Sequence, residues 1–399
     1  MEMKRGLLII SNGKGEDSIA VTLLEKLKLV AKEEAAENIG VVALPLVGEG
    51  LAYKDREYYA AASWRVLPSH GFTSPAGLCR DLRRGLLDNF RQQAKIIYRE
   101  AANADLLVTV GDIMPLLLAA FYGRGRKIAH IATAVSAYLR SYSLPEIWLF
   151  KKYVNCVVCR DLRTCEELQK NGVNAFYSGN PMMDDPLLAP EQINLGLDKR
   201  RRRIVLVPSS RADAYLNILR MLEIVRRFPP KNNFQFVLTM APGLELDLLG
   251  RMLAAETEWR LDEQPDKRRP ISAELLHANA PPVIVISGHF RACLDGAVLA
   301  LGMTGTGNEQ IAGLGIPLAL FRGRSPAASG RRMRHYKKLL GEAVFIPRGS
   351  DRRKAESLNQ LLGSGRQLQR MSEAGRERIG AAGGAYHIAR KIWYYLHSA

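Results

Sequence analysis

Two stretches of the chain begin alike, with consecutive apolar residues, then small and polar residues, then a helical pattern. Residues 7–10 begin the first stretch and residues 204–207 begin the second. Uninterrupted apolar runs are typical of parallel strands covered on both faces by helices. The pattern therefore predicts an α/β protein with two Rossmann-like, doubly wound halves. Further strands are predicted at residues 41–46, 105–110, 127–133, 154–159, 234–240, 283–287, 297–301 and 316–321.

A proline-rich crossing separates the two halves. Pro181, Pro186 and Pro190 interrupt any helical pattern there. We expect residues 1–183 to form an N-terminal domain and residues 184–383 to form a C-terminal domain. The 399 residues are enough for two domains of this size.

The charge balance favours anionic partners. The formal net charge is +17, with 47% apolar and 24% charged residues. Nucleic acid ranks low as a partner, because no zinc-finger or single-strand-binding aromatic pattern accompanies the basic clusters. A basic amphipathic segment at residues 76–102 suits an anionic membrane surface, although packing on its own sheet is the more frequent role of such a helix.

The cysteines and the apolar runs indicate a reducing, cytoplasmic setting. Cys156 and Cys159 form a C-x-x-C inside an apolar strand, with no second pair at zinc-ligand spacing, so we interpret them as core thiols. Five scattered cysteines fit a reducing compartment. The apolar run 7–10 is too short for a signal-peptide core, and no stretch resembles a transmembrane span.

A glycine-rich stretch, residues 303–315, lies between two predicted strands. Gly305 and Gly307 let the backbone approach a ligand closely, and Thr306 or Asn308 can cap the helix that follows. Free N–H groups at such a helix start suit a phosphate or diphosphate. An ordinary glycine-rich turn is the alternative.

The same helix carries an acid in its first turn and a glycine at its end. Glu309 is favoured there by the helix dipole and could reach a sugar hydroxyl, or it could act only as a capping acid. Gly315 is placed to end the helix, with Pro317 just beyond.

Acidic residues also follow two strands of the first half. The strand 105–110 ends in Gly111-Asp112, and the carboxyl end of a parallel strand is where open α/β folds bind ligands. Asp112 is therefore a candidate general base, with capping of the next helix as the alternative. Residues 11–17, Ser-Asn-Gly-Lys-Gly-Glu-Asp, form a predicted loop before a helix at 18–36, and they lack the third glycine of a dinucleotide fingerprint.

Taken in order, these motifs resemble those of lipid-A-disaccharide synthase and, more distantly, of the GlcNAc transferase of peptidoglycan precursor synthesis. Both are GT-B glycosyltransferases. The start at residues 11–17 is most similar to proteins known only as lipid-A-disaccharide synthase-related, and Asn180 stands where the synthase usually has His. The motifs that carry the resemblance are residues 11–17, 71–87, 111–112, 179–184, 208–211 and 304–309.

The resemblance implies two Rossmann-like domains facing across a cleft, with residues 384–399 crossing back to the N-terminal domain. It also implies a UDP-sugar site in the C-terminal domain. There the loop would cradle the diphosphate, Glu309 would bind the ribose, Arg211 would offset phosphate charge, and Asn308 or Gln310 would touch the sugar. The residues assigned to this site are Ser209, Arg211, Thr304, Gly305, Thr306, Gly307, Asn308, Glu309 and Gln310.

The resulting hypothesis is an inverting glycosyltransferase that moves a GlcNAc-type sugar to a lipid-linked or amphipathic acceptor. Asp112 is the expected base, with Glu16 and Asp17 in reserve. No cofactor and no metal are expected, because helix dipole, loop amides and arginine can stabilise a departing diphosphate, and no Asp-x-Asp motif is present. The acceptor side would include Asn12, Gly13, Gly15 and Asn180.

Two alternatives stay open. One is an enzyme like UDP-GlcNAc 2-epimerase, which uses the same two-domain fold and needs no acceptor. The other is a non-catalytic protein that binds a nucleotide sugar. An NAD-dependent enzyme ranks last, because neither glycine loop has the full fingerprint.

Overall fold

The computed structural model of the chain describes residues 5–35, 39–54, 58, 86–211, 213–229, 233–263, 270–323 and 329–398. It separates into two compact units, Met1–Asp185 with Ala382–Ala399, and Pro186–Ala381. Each unit is built on one mainly parallel sheet with helices on its faces. The predicted α/β class with two doubly wound halves is confirmed.

Among its described residues, the first unit contains six parallel strands in the order β2-β1-β3-β4-β5-β6. The chain runs from β1 outward to β2 and then returns to β3 on the other side of β1. The loops after β1 and β3 therefore meet at a topological switch point, where open α/β sheets bind ligands. The strands are β1 (Gly6–Ser11), β2 (Gly40–Pro45), β3 (Leu106–Gly111), β4 (Lys127–Ala132), β5 (Cys156–Cys159) and β6 (Ala175–Phe176).

Apolar runs make this sheet a layer buried on both sides. Leu7 and Ile9 face one core cluster and Leu8 and Ile10 face the other, as the two-residue period of a strand requires. All four side chains are buried. The helices of the unit are Lys14–Glu33, Leu51–Lys54, Leu86–Glu100, Ile113–Tyr122, Leu144–Tyr153, Leu162–Lys170 and Gly384–His397.

The second unit contains eight strands in the order β14-β13-β12-β7-β8-β11-β10-β9. Here the switch point lies between β7 and β12, and the loops that follow these two strands are neighbours. The strands are β7 (Arg202–Val207), β8 (Phe234–Met240), β9 (Arg260–Glu263), β10 (Ile271–Leu276), β11 (Val283–Ser287), β12 (Ala297–Gly302), β13 (Leu318–Leu320) and β14 (Val344–Phe345). The helices are Ala214–Val225, Leu246–Glu256, Phe290–Leu294, Thr306–Gly313, Gly330–Leu340, Asp351–Gly363 and Gly365–Ile379.

The last helix, Gly384–His397, belongs to the first unit, as expected, and packs against helix Lys14–Glu33. Its apolar face is buried. Asp184 fixes the start of this helix, because its carboxylate accepts hydrogen bonds from the backbone N–H groups of Gly383 (2.5 Å) and Ala385 (2.7 Å).

Several elements differ from the expectations. The strands β9 and β10 pair antiparallel at the edge of the second sheet and were not predicted, nor was helix Leu144–Tyr153. Most of the basic segment 71–87 lies outside the described residues. Cys156 and Cys159 are buried free thiols in β5, which confirms that they belong to the core.

Candidate functional site

The switch point of the first sheet brings Asn12 and Asp112 into contact. Asn12 Nδ2 donates a hydrogen bond to Asp112 Oδ1 over 2.7 Å. The backbone N–H of Met114 donates to the same oxygen over 2.8 Å, so Asp112 is also the N-cap of helix Ile113–Tyr122. Within the described part of the chain, Oδ2 takes no hydrogen bond. Asp112 is thus both a strand-end carboxylate and a helix cap.

Gly111 permits the close approach of these two side chains. Its φ is +137°, a backbone region that favours glycine. A Cβ at this position would lie 1.9 Å from Asn12 Oδ1. The Gly111-Asp112 pair in the sequence therefore has a steric cause, because only glycine leaves room for Asn12 beside the strand end.

The helix after β1 begins at Lys14, four residues earlier than predicted. The expected loop is thereby reduced to Asn12 and Gly13, and Gly15 lies in the first helical turn. Carboxylates in the first turn interact favourably with the helix dipole, and Glu16 and Asp17 occupy this turn. The seven-residue loop predicted here is wrong for this reason.

Glu16, in the first turn of helix Lys14–Glu33, lies near the Asp112 carboxylate at the end of β3. Burial raises the pKa of Glu16, and the nearby Asp112 carboxylate adds to the rise, whereas Arg160 opposes it. The side chain folds back over Gly13, where a Cβ would lie 2.5 Å from Glu16 Oε2. The structure therefore brings together two of the three predicted carboxylates, with one of them biased toward its protonated form.

Asp17, the third carboxylate, points into the core. Ser11 Oγ donates a hydrogen bond to Asp17 Oδ1 over 2.6 Å, and the hydroxyl oxygens of Ser11 and Tyr53 lie 2.6 Å apart. Burial is the main cause that raises the pKa of Asp17 to about 6. Asp17 was a reserve candidate for the base, but it is only 3% exposed. Tyr53, which completes this buried chain, gave no signal in the sequence.

Residues that follow β4 and β5 were missed, although the strand-end rule used for Asp112 could have found them. Arg160 Nη1 donates to the carbonyl of Thr133 over 2.8 Å. Asp161 Oδ1 accepts from the N–H of Thr164 over 2.8 Å and caps helix Leu162–Lys170. Asp161 Oδ2 is buried and accepts no hydrogen bond among the described residues.

Asn180 was assigned to the acceptor side, and the structure gives it a different role. Its side chain is 4% exposed and accepts a hydrogen bond from the N–H of Met182 over 3.1 Å. This bond caps the short 3-10 helix Pro181–Asp184. Asn180 therefore holds the backbone at the end of the first unit.

In the second unit, the loops after β7 and β12 lie side by side. Met303 N donates to the carbonyl of Val207 over 2.9 Å. Helix Thr306–Gly313 then starts with Gly305 as its N-cap, and no side chain caps it. Capping by Thr306 or Asn308 was predicted and is wrong. Since no side chain among the described residues accepts from the first amide groups of this helix, those groups suit an anionic ligand.

Asn308 and Gln310 were expected to touch the sugar, but the structure buries both side chains, at 1% and 5% exposure. Asn308 Nδ2 donates to the carbonyl of Thr304 over 2.7 Å and so holds the loop from below. Its Oδ1 lies 2.3 Å from the position that a Cβ on Gly302 would occupy. Asn308 therefore supports the loop, and Thr304, Gly305, Thr306, Gly307 and Glu309 retain at least partial exposure.

The end of this helix agrees with its sequence. Gly315 has φ +78°, its N–H bonds the carbonyl of Ala312, and the N–H of Ile316 bonds the carbonyl of Ile311. These two bonds define a Schellman motif.

Arg332 is a basic residue near the loop that the sequence did not single out. Its Nη2 lies 3.6 Å from the position of a Cβ on Gly305, and its guanidinium lies 6.0 Å from the ring centroid of Tyr336. Arg332 is exposed in the first turn of helix Gly330–Leu340. The basic run 331–338 was visible in the sequence, but only the fold shows which member reaches the loop.

The turn after β7 holds the two other predicted residues. Ser209 has φ +149°, unusual for a residue with a side chain. Its Oγ donates to Asp213 Oδ1 over 2.9 Å and accepts from the N–H of Arg211 over 3.3 Å. Arg211 is exposed. The serine therefore shapes this turn, and the arginine is free to extend from it.

No known family model matches the chain, and no curated protein is similar to it in sequence. Solved structures are similar in fold. UDP-GlcNAc 2-epimerase from Neisseria meningitidis, bound to UDP-GlcNAc, has a TM-score of 0.56 at 13% identity, with 97% of this chain and 99% of that chain covered. The calicheamicin glycosyltransferase CalG4 has 0.54 at 16%, with 99% of each covered. MurG from Acinetobacter baumannii has 0.52 at 11%, with 98% and 99% covered.

These similarities span nearly the whole chain and show its fold. The chain is a two-domain α/β protein with the GT-B fold, as the resemblance implied. These three structures support the GT-B fold, and they do not show a relation to lipid-A-disaccharide synthase in particular. In the described ranges, no helix is both long and apolar enough to span a bilayer.

Proposed function

We propose that this protein is an enzyme that acts on a UDP-activated amino sugar. The second unit would bind the nucleotide, with the diphosphate at the amide groups of Gly305–Gly307 and with Arg332 and Arg211 offsetting its charge. Glu309 would bind the ribose. Three features of the second unit support this: the uncapped helix start, the arginine beside Gly305 and the position of the loop at the switch point.

Within this class, we favour inversion at carbon 2 of the sugar, the reaction named for the Neisseria structure. The carrying observation is the pair of carboxyl groups Glu16 and Asp112. Inverting a carbon requires that a proton be removed from one face and returned to the other, so an acid and a base are both needed. Glu16, whose pKa is raised, suits the acid, and Asp112, which accepts two N–H hydrogen bonds, suits the base.

Glycosyl transfer is the second candidate, and the ordered motifs together with the fold similarity to two glycosyltransferases favour it. In that reaction, an acceptor hydroxyl attacks the anomeric carbon, UDP leaves, and Asp112 takes the hydroxyl proton. The acceptor would be lipid-linked or amphipathic. A protein that only binds the nucleotide sugar is the third possibility.

An NMR assay, run without and then with an acceptor, separates the two reactions, and a thermal-shift measurement detects binding alone. The protein is incubated in D₂O with UDP-GlcNAc and no acceptor. An epimerase incorporates deuterium at carbon 2 and produces a second UDP-sugar. A transferase leaves carbon 2 unlabelled and releases UDP only when an acceptor is added. A binding protein does neither, although UDP raises its melting temperature. If no UDP-sugar binds at all, the proposal is wrong.

A further inference from the structure

The outer face of the last helix and the edge strand β6 line an open groove in the first unit. The volume of this groove is about 500 Å³, within the range of small-molecule sites. The helix contributes positions spaced three or four residues apart, which lie on one helical face. The lining residues are Phe176, Ser178, His387, Arg390, Lys391 and Tyr394.

The helix residues that line this groove are cationic or aromatic. Helix Gly384–His397 contains no Asp or Glu. In the part of the chain that the structure describes, neither Arg390 nor Lys391 forms an ion pair with a carboxylate. Opposite charges three or four residues apart stabilise a helix, and an anion bound in this groove would supply the charge that the helix itself lacks.

Aromatic rings form the rest of the wall. The Lys391 ammonium lies 5.7 Å from the ring centroid of Phe176 and 5.7 Å from that of Tyr394. Tyr394 is 61% exposed, which is far more than packing in the core would leave. Its ring offers a flat apolar surface beside the cations.

We propose that this groove binds a phosphorylated small molecule that carries a planar ring, with a nucleoside monophosphate as the simplest example. Arg390 and Lys391 hold the phosphate, because a guanidinium and an ammonium are the usual partners of phosphate oxygens. Tyr394 stacks on the ring. The groove lies within the first unit and is distinct from the loop of the second unit, so this proposal does not depend on the proposed function.

The test uses calorimetric titration of the full chain at low salt with AMP, adenosine and inorganic phosphate. AMP should bind tightest. Arg390→Ala with Lys391→Ala should weaken AMP at least tenfold. Arg91→Ala with Lys95→Ala, which removes the same charge from an exposed helix, should not weaken it. Gly305→Val in the second unit should also leave AMP binding intact. Circular dichroism checks that each variant is folded.

Tyr394→Ala separates the two parts of the proposed ligand. It should weaken AMP while leaving inorganic phosphate unchanged. The proposal is overturned if AMP does not bind, if adenosine binds as well as AMP, or if the Arg390/Lys391 variant binds AMP normally. Equal weakening of AMP by Gly305→Val would move the site to the second unit and also overturn it.

Discussion

Asn12 and Asp112 lie 100 residues apart in the sequence, and their side chains meet through a 2.7 Å hydrogen bond. The contact is made possible by Gly111, where any Cβ would collide with Asn12. It joins the ends of β1 and β3 at the switch point of the first sheet. Asp112 is therefore oriented by three neighbours: Asn12, the N–H of Met114 and the glycine before it.

Asp112→Asn should reduce turnover of UDP-GlcNAc by orders of magnitude while leaving UDP affinity unchanged. Asn is about as good a helix N-cap as Asp, so the free energy of unfolding should change by less than about 1 kcal/mol. A turnover assay measures the activity, calorimetric titration measures the UDP affinity, and urea unfolding measures the stability. Asp105→Asn, at the opposite end of β3, is the matched control and should keep its turnover. Normal turnover in Asp112→Asn would show that this carboxylate is not the base.

Asp17 should make stability depend on pH. Its pKa is 3.8 in an unfolded chain and about 6 in the fold, so the folded state holds the proton more tightly. Below pH 3.8 the carboxyl is protonated in both states, and ionising it costs nothing. Above about pH 6 it is ionised in both states, and the folded protein bears the full cost of a buried charge. The free energy of unfolding therefore falls as pH rises between these two values. The difference between the two pKa values corresponds to a loss of about 3 kcal/mol in the free energy of unfolding.

Asp17→Asn removes that dependence and keeps an acceptor for Ser11 Oγ. The variant should therefore gain stability over the wild type as pH rises from about 4 to about 7. Urea unfolding of both proteins across this range measures the difference, in which the other titrating groups cancel. A difference that stays constant with pH would show that Asp17 is not held in its protonated form.

Gly305→Ala tests the loop of the second unit. The nearest side-chain atom to the position of a Cβ on Gly305 is Arg332 Nη2, 3.6 Å away, so there is room for the methyl group of alanine. Stability should change little, while the added methyl group obstructs the amide groups and weakens UDP binding at least tenfold. Gly363→Ala, where nothing lies within 4 Å, is the control. Unchanged affinity in Gly305→Ala would exclude this loop as the diphosphate site.

Arg332→Ala should weaken UDP binding about tenfold, because the guanidinium beside Gly305 would no longer offset phosphate charge. The residue is exposed, so the free energy of unfolding should change by no more than about 0.5 kcal/mol. Arg334→Ala, an exposed arginine of the same helix, should bind UDP normally. Equal effects of the two substitutions would indicate only a general loss of positive charge.

Asp184→Ala should loosen the last helix. The carboxylate accepts two backbone hydrogen bonds at the start of Gly384–His397, and loss of such a cap costs about 1–2 kcal/mol. Urea unfolding measures the cost, and faster amide hydrogen exchange in this helix locates it. Asp184→Asn retains one acceptor and should lose less. Exchange rates that match the wild type would contradict the capping role.

The strand pattern could be predicted because it depends on local burial. The runs at residues 7–10 and 234–240 are buried on both faces, and period and composition reveal this without any knowledge of neighbours. The antiparallel strands β9 and β10 were missed because they lie at a sheet edge, where charged and apolar residues mix. Helix Lys14–Glu33 begins four residues before its predicted start, because the helix dipole favours Glu16 and Asp17 in the first turn. From the sequence, these residues were expected in a glycine-rich loop.

The sequence by itself determined most of the parallel strands, the two-fold repetition of the Rossmann-like pattern and the strand-end positions of Asp112 and Gly305. These follow from side-chain period and backbone freedom, which act over a few residues. Only the tertiary structure decided which polar residues are exposed near the strand ends and which are buried. Asn308, Gln310, Asp17 and Asn180 are buried, and Arg332 lies beside Gly305. Strand order and helix packing bring distant residues together, and no local pattern in the chain records those distances.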